Sequence, residues 1–192
     1  MTVPSRNRRL SLAAGALALT LAATTACASK KPTGTLPSPA PGSAAPTPSV
    51  EPSVASAEQQ ARAAYAGYIQ TWAIASQQAD PDNPDLARYV ADPLLSLTRH
   101  NIRRLKDIGA VQIGTQKATV VNVQVDLAAK PPTVTITSCL DYSDLRLVYK
   151  SNQSPVPNSS GGDPKVPSVA TVWLYLTGQW LVNNSKQGSH TC

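Results

Sequence analysis

The sequence predicts an α+β domain in which N-terminal helices pack on one face of a curved antiparallel sheet. Three observations carry this expectation. Apolar residues recur at helical spacing between Ser56 and Ile108. From Ala110 onward they recur at every second residue instead. Turn-forming stretches, Lys130-Pro131-Pro132 and Thr177-Gly178, separate the alternating segments. Helices first and a meander afterwards is the order of an α+β fold, because a sheet with one apolar face needs helices to cover it.

Each element follows from local chemistry. Ser56-Ala57-Glu58-Gln59 fits a capping box, with Ser56 as N-cap and Gln59 reaching back. The helix it opens is expected to run to Gln78, with Ala61, Tyr65, Tyr68, Ile69 and Trp72 on one face. Asp80-Pro81-Asp82-Asn83-Pro84 ends it and opens a short helix carrying Leu86, Tyr89 and Val90. Asp92-Pro93 supplies an N-cap and a proline at the first helical position of a third helix. That helix carries Leu94, Leu95, Ile102, Leu105 and Ile108, and Gly109 is its stop.

Val111 and Ile113 then open a strand. Val121, Val123 and Val125 alternate with polar residues, as do Val134, Ile136, Ser138 and Leu140, and then Leu145, Leu147 and Tyr149. A polar stretch over 151–165 interrupts the pattern. The last two strands are expected at Val169 to Leu176 and Gln179 to Val182, joined by the Thr177-Gly178 turn. Residues 56–192 form the expected domain, and about 137 residues suffice to bury roughly two thirds of its surface.

Upstream, residues 1–26 have the three parts of an export signal: a basic start (Arg6, Arg8, Arg9), an apolar run from Leu10 to Ala23, and small residues before Cys27. The run is shorter than the roughly 20 residues that a membrane-spanning helix needs, which argues against an uncleaved anchor. Leu21-Ala22-Ala23-Thr24-Thr25-Ala26-Cys27 resembles a bacterial lipobox, in which the cysteine thiol takes a diacylglyceryl group. Thr24 stands where such motifs usually have Leu. A cut after Ala28 in Ala26-Cys27-Ala28 is the competing reading, and it releases the chain from the membrane. Arg8-Arg9 faintly resembles a twin-arginine signal, so the export route stays open between the two pathways.

Residues 27–55 hold Cys27 and a linker rich in Pro, Ser, Thr, Ala and Gly. Such a segment buries too little apolar surface to offset its ordering entropy and is expected to be disordered. Extended, it spans on the order of 80 Å. Lys30 and Lys31 sit where anionic headgroups would be.

Lys and Arg total 17 against 11 Asp and Glu, a formal charge of +6. Three of those positive charges lie in the export signal, and subtracting them leaves +3 for the rest. That modest excess argues against a nucleic-acid partner. Of the three cysteines, Cys139 and Cys192 lie in the exported part, where disulfides persist. Pairing them ties down the polar tail from Asn183 to Thr191, and lipidation accounts for the odd Cys27.

The Ala-rich first helix with Tyr65 and Trp72, the Asp80–Pro84 turn, Ser138-Cys139-Leu140-Asp141, Gly178-Gln179-Trp180 and the terminal Cys192 together are suggestive. In these features residues 57–192 resemble a group of actinobacterial exported lipoproteins with an NTF2-like α+β cone. Val182-Asn183-Asn184 departs from the Val-Thr-Asp of that group. The resemblance implies a cone-shaped fold and an envelope location. It implies no particular activity, since similar cones serve as isomerases, dehydratases and adaptor domains.

Candidate chemistry is sparse. His100 and His190 are far apart, without metal-ligand spacing, and no phosphate-binding glycine loop or nucleophile motif is present, so no metal or cofactor is expected. Asp141 and Tyr142 are the one pair suited to cofactor-free isomerase chemistry, as base and oxyanion donor. Asp141-Tyr142-Ser143-Asp144 is also a good turn. Arg99, Arg103 and Lys106 share a helix face, with Arg104 nearby, and suit an anionic lipid or wall polymer, or simply solvent. The candidate pocket residues are Tyr65, Trp72, Asp141, Tyr142, Trp173 and Trp180; the aromatics equally suit a core in a chain without Phe. The expectation is a non-enzymatic module held at the outer membrane face through Cys27, binding a ligand, an envelope protein or a wall polymer. The alternative is a small isomerase or dehydratase.

Overall fold

A computed structural model describes residues 52–159, 164–188 and 192. The expected export signal, Cys27, the expected linker up to residue 51 and His190 lie outside the described residues. All described elements belong to one compact unit, Pro48–Cys192, which carries its own core and its own disulfide and therefore has what it needs to fold alone. Among the described residues no helix is long and apolar enough to cross a membrane.

Three helices come first: α1 (Val54–Gln78), α2 (Leu86–Tyr89) and α3 (Leu94–Asp107). α1 begins inside the expected linker. Its N-cap is Ser53 rather than Ser56: the Ser53 hydroxyl accepts from Ser56 N at 3.2 Å, while Ser56 Oγ accepts from Gln60 Nε2 at 2.9 Å. The earlier cap wins because it keeps a capped N–H and adds a helical bond, Ala57 N to Ser53 O at 2.9 Å. α3 starts just after Pro93, and Asp92 Oδ1 accepts from both the amide (3.0 Å) and the hydroxyl (2.6 Å) of Ser96. Gly109, at φ +66°, stops α3 as expected.

Six strands follow: β1 (Ala110–Ile113), β2 (Lys117–Asp126), β3 (Thr133–Asp141), β4 (Arg146–Tyr149), β5 (Lys165–Leu174) and β6 (Trp180–Gln187). They do not form one meander. β2, β3, β5 and β6 make a four-stranded antiparallel sheet in that order, whereas β1 and β4 leave it and pair as a separate two-stranded ribbon. Two register shifts, at Val120/Asn122 in β2 and opposite Thr171/Val172 in β6, mark bulges that bend the sheet.

The bulges correct two details. In β2 the inward set is Ala118, Val120, Val123 and Val125, and Val121 faces solvent at 70% exposure. A bulge inserts one residue, so the alternation changes phase across it. In β6 the strand runs five residues beyond Val182, so the segment expected to be a polar tail is sheet up to Gln187. β5 ends at Leu174, and Leu176, placed in that strand by alternation, is fully exposed in the turn. In β4 it is Val148 that is buried, with Leu147 and Tyr149 half-buried.

Helices cover one face of the curved sheet. Ala57, Ala61, Ala64 and Tyr65 of α1 pack in one core with Val134 and Ile136 of β3, Ala170 and Val172 of β5, and Trp180 and Val182 of β6. The alanines present no bulk, so that the α1 backbone sits close to the sheet and Tyr65 fills the remaining space. A second cluster, Ala75, Leu86 and Ile102, joins the far end of α1 to α2 and α3, with Trp72 against it. Cys139 and Cys192 are disulfide-bonded, with Cα atoms 6.0 Å apart, which ties the chain end to β3.

Candidate functional site

Two cavities lie on the helix side of the unit and share Trp72, Asn101 and Tyr142 in their walls. The larger, about 950 Å³, runs between a helical wall (Trp72, Ser76, Ile102, Leu105) and the β1–β4 ribbon (Gln112, Ile113, Leu147, Val148). The smaller, about 340 Å³, lies between Tyr68, Ile69, Leu94 and Thr98 on the helices and Leu140, Ser185 and Gln187 at one end of the sheet. The ribbon's departure from the main sheet is what makes the larger cleft. Had β1 and β4 continued the meander, their apolar residues would have no reason to face α3.

Five of the six candidate pocket residues separate into three groups, and Asp141 stands apart from them. Trp72 and Tyr142 line both cavities. Tyr65 and Trp180 belong to the closed core, at 2% and 5% exposure. Trp173 lies on the other face of β5 from Ala170 and Val172 and packs against Tyr175, ring centroids 6.5 Å apart. It is therefore apart from both cavities: a strand sends alternate side chains to opposite faces, and Trp173 is out of phase with the inward set.

Asp141 stands at the end of β3 as a turn residue. Its Oδ1 accepts from Ser143 N at 2.9 Å, and Lys165, its cross-strand neighbour, places Nζ 3.5 Å from Oδ2. The hydrogen bonds from Ser143 hold its pKa below the usual carboxylate value, with a smaller contribution from Lys165. A general base in a dry pocket needs the opposite shift. Tyr142 is half-buried, and desolvation raises its pKa, so its phenol keeps its proton at neutral pH. Its oxygen accepts from Gln187 Nε2, which leaves its own O–H to donate. Burial pushes Tyr68 up to about 12, and it too is a neutral donor.

Three polar residues of the larger cleft escaped the sequence reading. Ser76 is 1% exposed, and its hydroxyl has no hydrogen-bond partner among the described residues. Its signal was its position four residues after Trp72, which puts both on one helix face. Arg146 reaches the cleft from β4, where its Nη1 donates to Ser143 O at 2.7 Å and Leu145 O at 2.8 Å. Asn101 reaches it from α3. Nothing local distinguishes Arg146 or Asn101 from an ordinary surface residue.

The basic face of α3 is divided. Arg103 is 3.7 Å from Asp82, and Arg99 Nε is buried without a partner among the described residues. His100 is exposed. Among the described residues there is no group of three or more His, Cys, Asp or Glu arranged to hold a metal.

No protein-family model matches the sequence, and no curated protein matches it. Solved structures that it resembles include the crystal structure of the intermembrane space region of the chloroplast protein ARC6, at 14% identity and a TM-score of 0.49, over 69% of this chain and 96% of that one. Another is the NMR structure of a de novo designed β-sheet protein, at 16% identity and a TM-score of 0.26, over 71% of this chain and 88% of that one. No activity follows from either likeness.

Proposed function

We propose that this chain is a lipid-anchored envelope protein, held through Cys27, whose folded unit is a non-enzymatic module binding a small ligand in the cleft between the helices and the β1–β4 ribbon. On this reading the fold is an NTF2-like cone, in which α1–α3 close one side of a bulged sheet, and the chain is akin to the exported actinobacterial lipoproteins it resembles. The observation that carries the ligand is the cleft itself, about 950 Å³ and walled mostly by apolar side chains, with Arg146, Asn101 and Tyr142 among its few polar groups. The capped, lysine-paired Asp141, with its lowered pKa, supports binding over isomerase chemistry.

Native mass spectrometry of the protein recovered from its host tests both halves. The anchor reading requires a diacylglyceryl group on an N-terminal Cys27; a mature chain beginning at Ser29 sinks it. The ligand reading requires a bound small molecule that is released on unfolding and whose retention falls in Leu105→Asp, which puts a charge on the apolar wall of the cleft. Recovery without any such molecule, together with no thermal shift against a panel of apolar ligands, sinks that half.

A further inference from the structure

We infer that the cleft takes an anionic amphiphile, with its apolar body between α3 and the β1–β4 ribbon and its anionic head at Arg146. This deepens the ligand reading of the cleft and rests on it. The two walls supply the apolar part: Ile102 and Leu105 on one side, Ile113, Leu147 and Val148 on the other. Their volume of about 950 Å³ is at the upper end of small-ligand sites, which run from about 300 to 1,000 Å³.

Charge selects the head. Among the described lining residues Arg146 is the one ion, and no carboxylate faces it. The nearest acids in sequence are otherwise engaged. Asp141 is paired with Lys165 at 3.5 Å, and Asp144 with Lys117 at 3.1 Å. The guanidinium is held in place by its two bonds to the Ser143 and Leu145 carbonyls through Nη1. Its Nε and Nη2 donors make no hydrogen bond among the described residues, and a planar fork of this kind matches a carboxylate or phosphate. A neutral amphiphile gains the same apolar burial without that pairing, and a cationic one is repelled. Asn101 and the protonated phenol of Tyr142 add neutral polar groups to the same cleft.

The test is calorimetric titration of the compact unit Pro48–Cys192 with three probes kept in true solution: dodecanoate below its micelle concentration, dodecanol below its solubility limit, and acetate. Dodecanoate is expected to bind more tightly than dodecanol by up to about fivefold, the gain of one partly exposed ion pair. Acetate is expected to bind far more weakly than either. Arg146→Gln should bring dodecanoate to the dodecanol level and leave dodecanol unchanged; Arg146→Lys should keep most of the preference, and near-ultraviolet circular dichroism checks that both variants are folded. Equal binding of dodecanoate and dodecanol by the unaltered unit overturns the anionic head while leaving the cleft as a ligand site. Acetate binding as tightly as dodecanoate overturns the apolar body. Binding of none of the three overturns this inference, whereas the ligand reading itself falls on the native mass-spectrometric and thermal-shift result.

Discussion

The hydroxyl of Tyr65 lies 2.6 Å from that of Ser138, and both residues are buried, at 2% and 1% exposure. This bond joins α1 to β3 across 73 residues, with the buried Ser168 hydroxyl of β5 also beside Tyr65. Removing one partner leaves the other desolvated and unpaired, which costs about 1–3 kcal/mol. Ser138→Ala and Tyr65→Phe should each destabilise by about that much. The double variant should cost less than the sum of the two, because no orphan remains. Denaturant unfolding of the four proteins measures the coupling, and strict additivity would remove Tyr65–Ser138 as a structural pair.

The Cys139–Cys192 bond closes a separation of 53 residues. In the chain-entropy account a loop of that size is worth about 4 kcal/mol. Cys139→Ser together with Cys192→Ser should therefore lower stability by about 4 kcal/mol while the core packing of Val134 and Ile136 survives. Thermal melts with and without reductant check this. An unchanged melting temperature on reduction would contradict it.

Gly114 connects β1 to β2 and sits at φ +85°, where a Cβ would lie 2.0 Å from the backbone oxygen of Asp144. That oxygen cannot move aside without displacing the turn before β4, which carries one wall of the cleft. Gly114→Ala should cost about 3 kcal/mol, from left-handed strain and the clash combined. Gly178 is the control. It has φ +80° but open space around its Cβ position, so Gly178→Ala should cost only the strain, about 1 kcal/mol. Equal costs for the two would mean that the close approach of Gly114 to Asp144 is absent.

Asp141 and Asp92 set the acid side of stability. Both have pKa values lowered chiefly by hydrogen bonds, from Ser143 and from Ser96 respectively. A lowered folded-state pKa means that the unfolded chain binds protons more readily. The contribution is present above the unfolded value, about 3.9, and is lost as pH falls through the folded one. NMR titration of the side-chain carboxyls should place both below that value, and Asp141→Asn should flatten the acid limb of the melting curve. A pKa for Asp141 raised well above 4 would return the isomerase reading, because it would mean a desolvated carboxyl at the cleft rim.

Much of the fold was legible in local chemistry. The three helices, the Gly109 stop, the Gly178 turn and the inward set Val134, Ile136, Ser138 and Leu140 all follow from period and capping, which act over a few residues. Errors gathered where two strands must be compared. The exposure of Val121 depends on a bulge, and the extension of β6 to Gln187 on its pairing with β5 as far as Ser168; both exist only relative to a partner strand. The cleft was half legible. Trp72 and Tyr142 stand out in the sequence as aromatics, and Ser76 shares the helix face of Trp72, whereas Arg146 looks like an ordinary surface residue until β4 is brought to the cleft.

By itself, then, the order of residues determined that helices precede strands, which face of α1 and of β3 is apolar, and which two cysteines lie in the folded unit, because helix period, strand alternation and chain position are local properties. Only the tertiary structure decided that β1 and β4 leave the main sheet, that Trp180 is core while Trp72 is cavity wall, and that the Ser76 hydroxyl is buried without a partner among the described residues. These depend on strand pairing and on the space left between packed elements. Those are set by sums of many distant contacts, and no short window of sequence contains them.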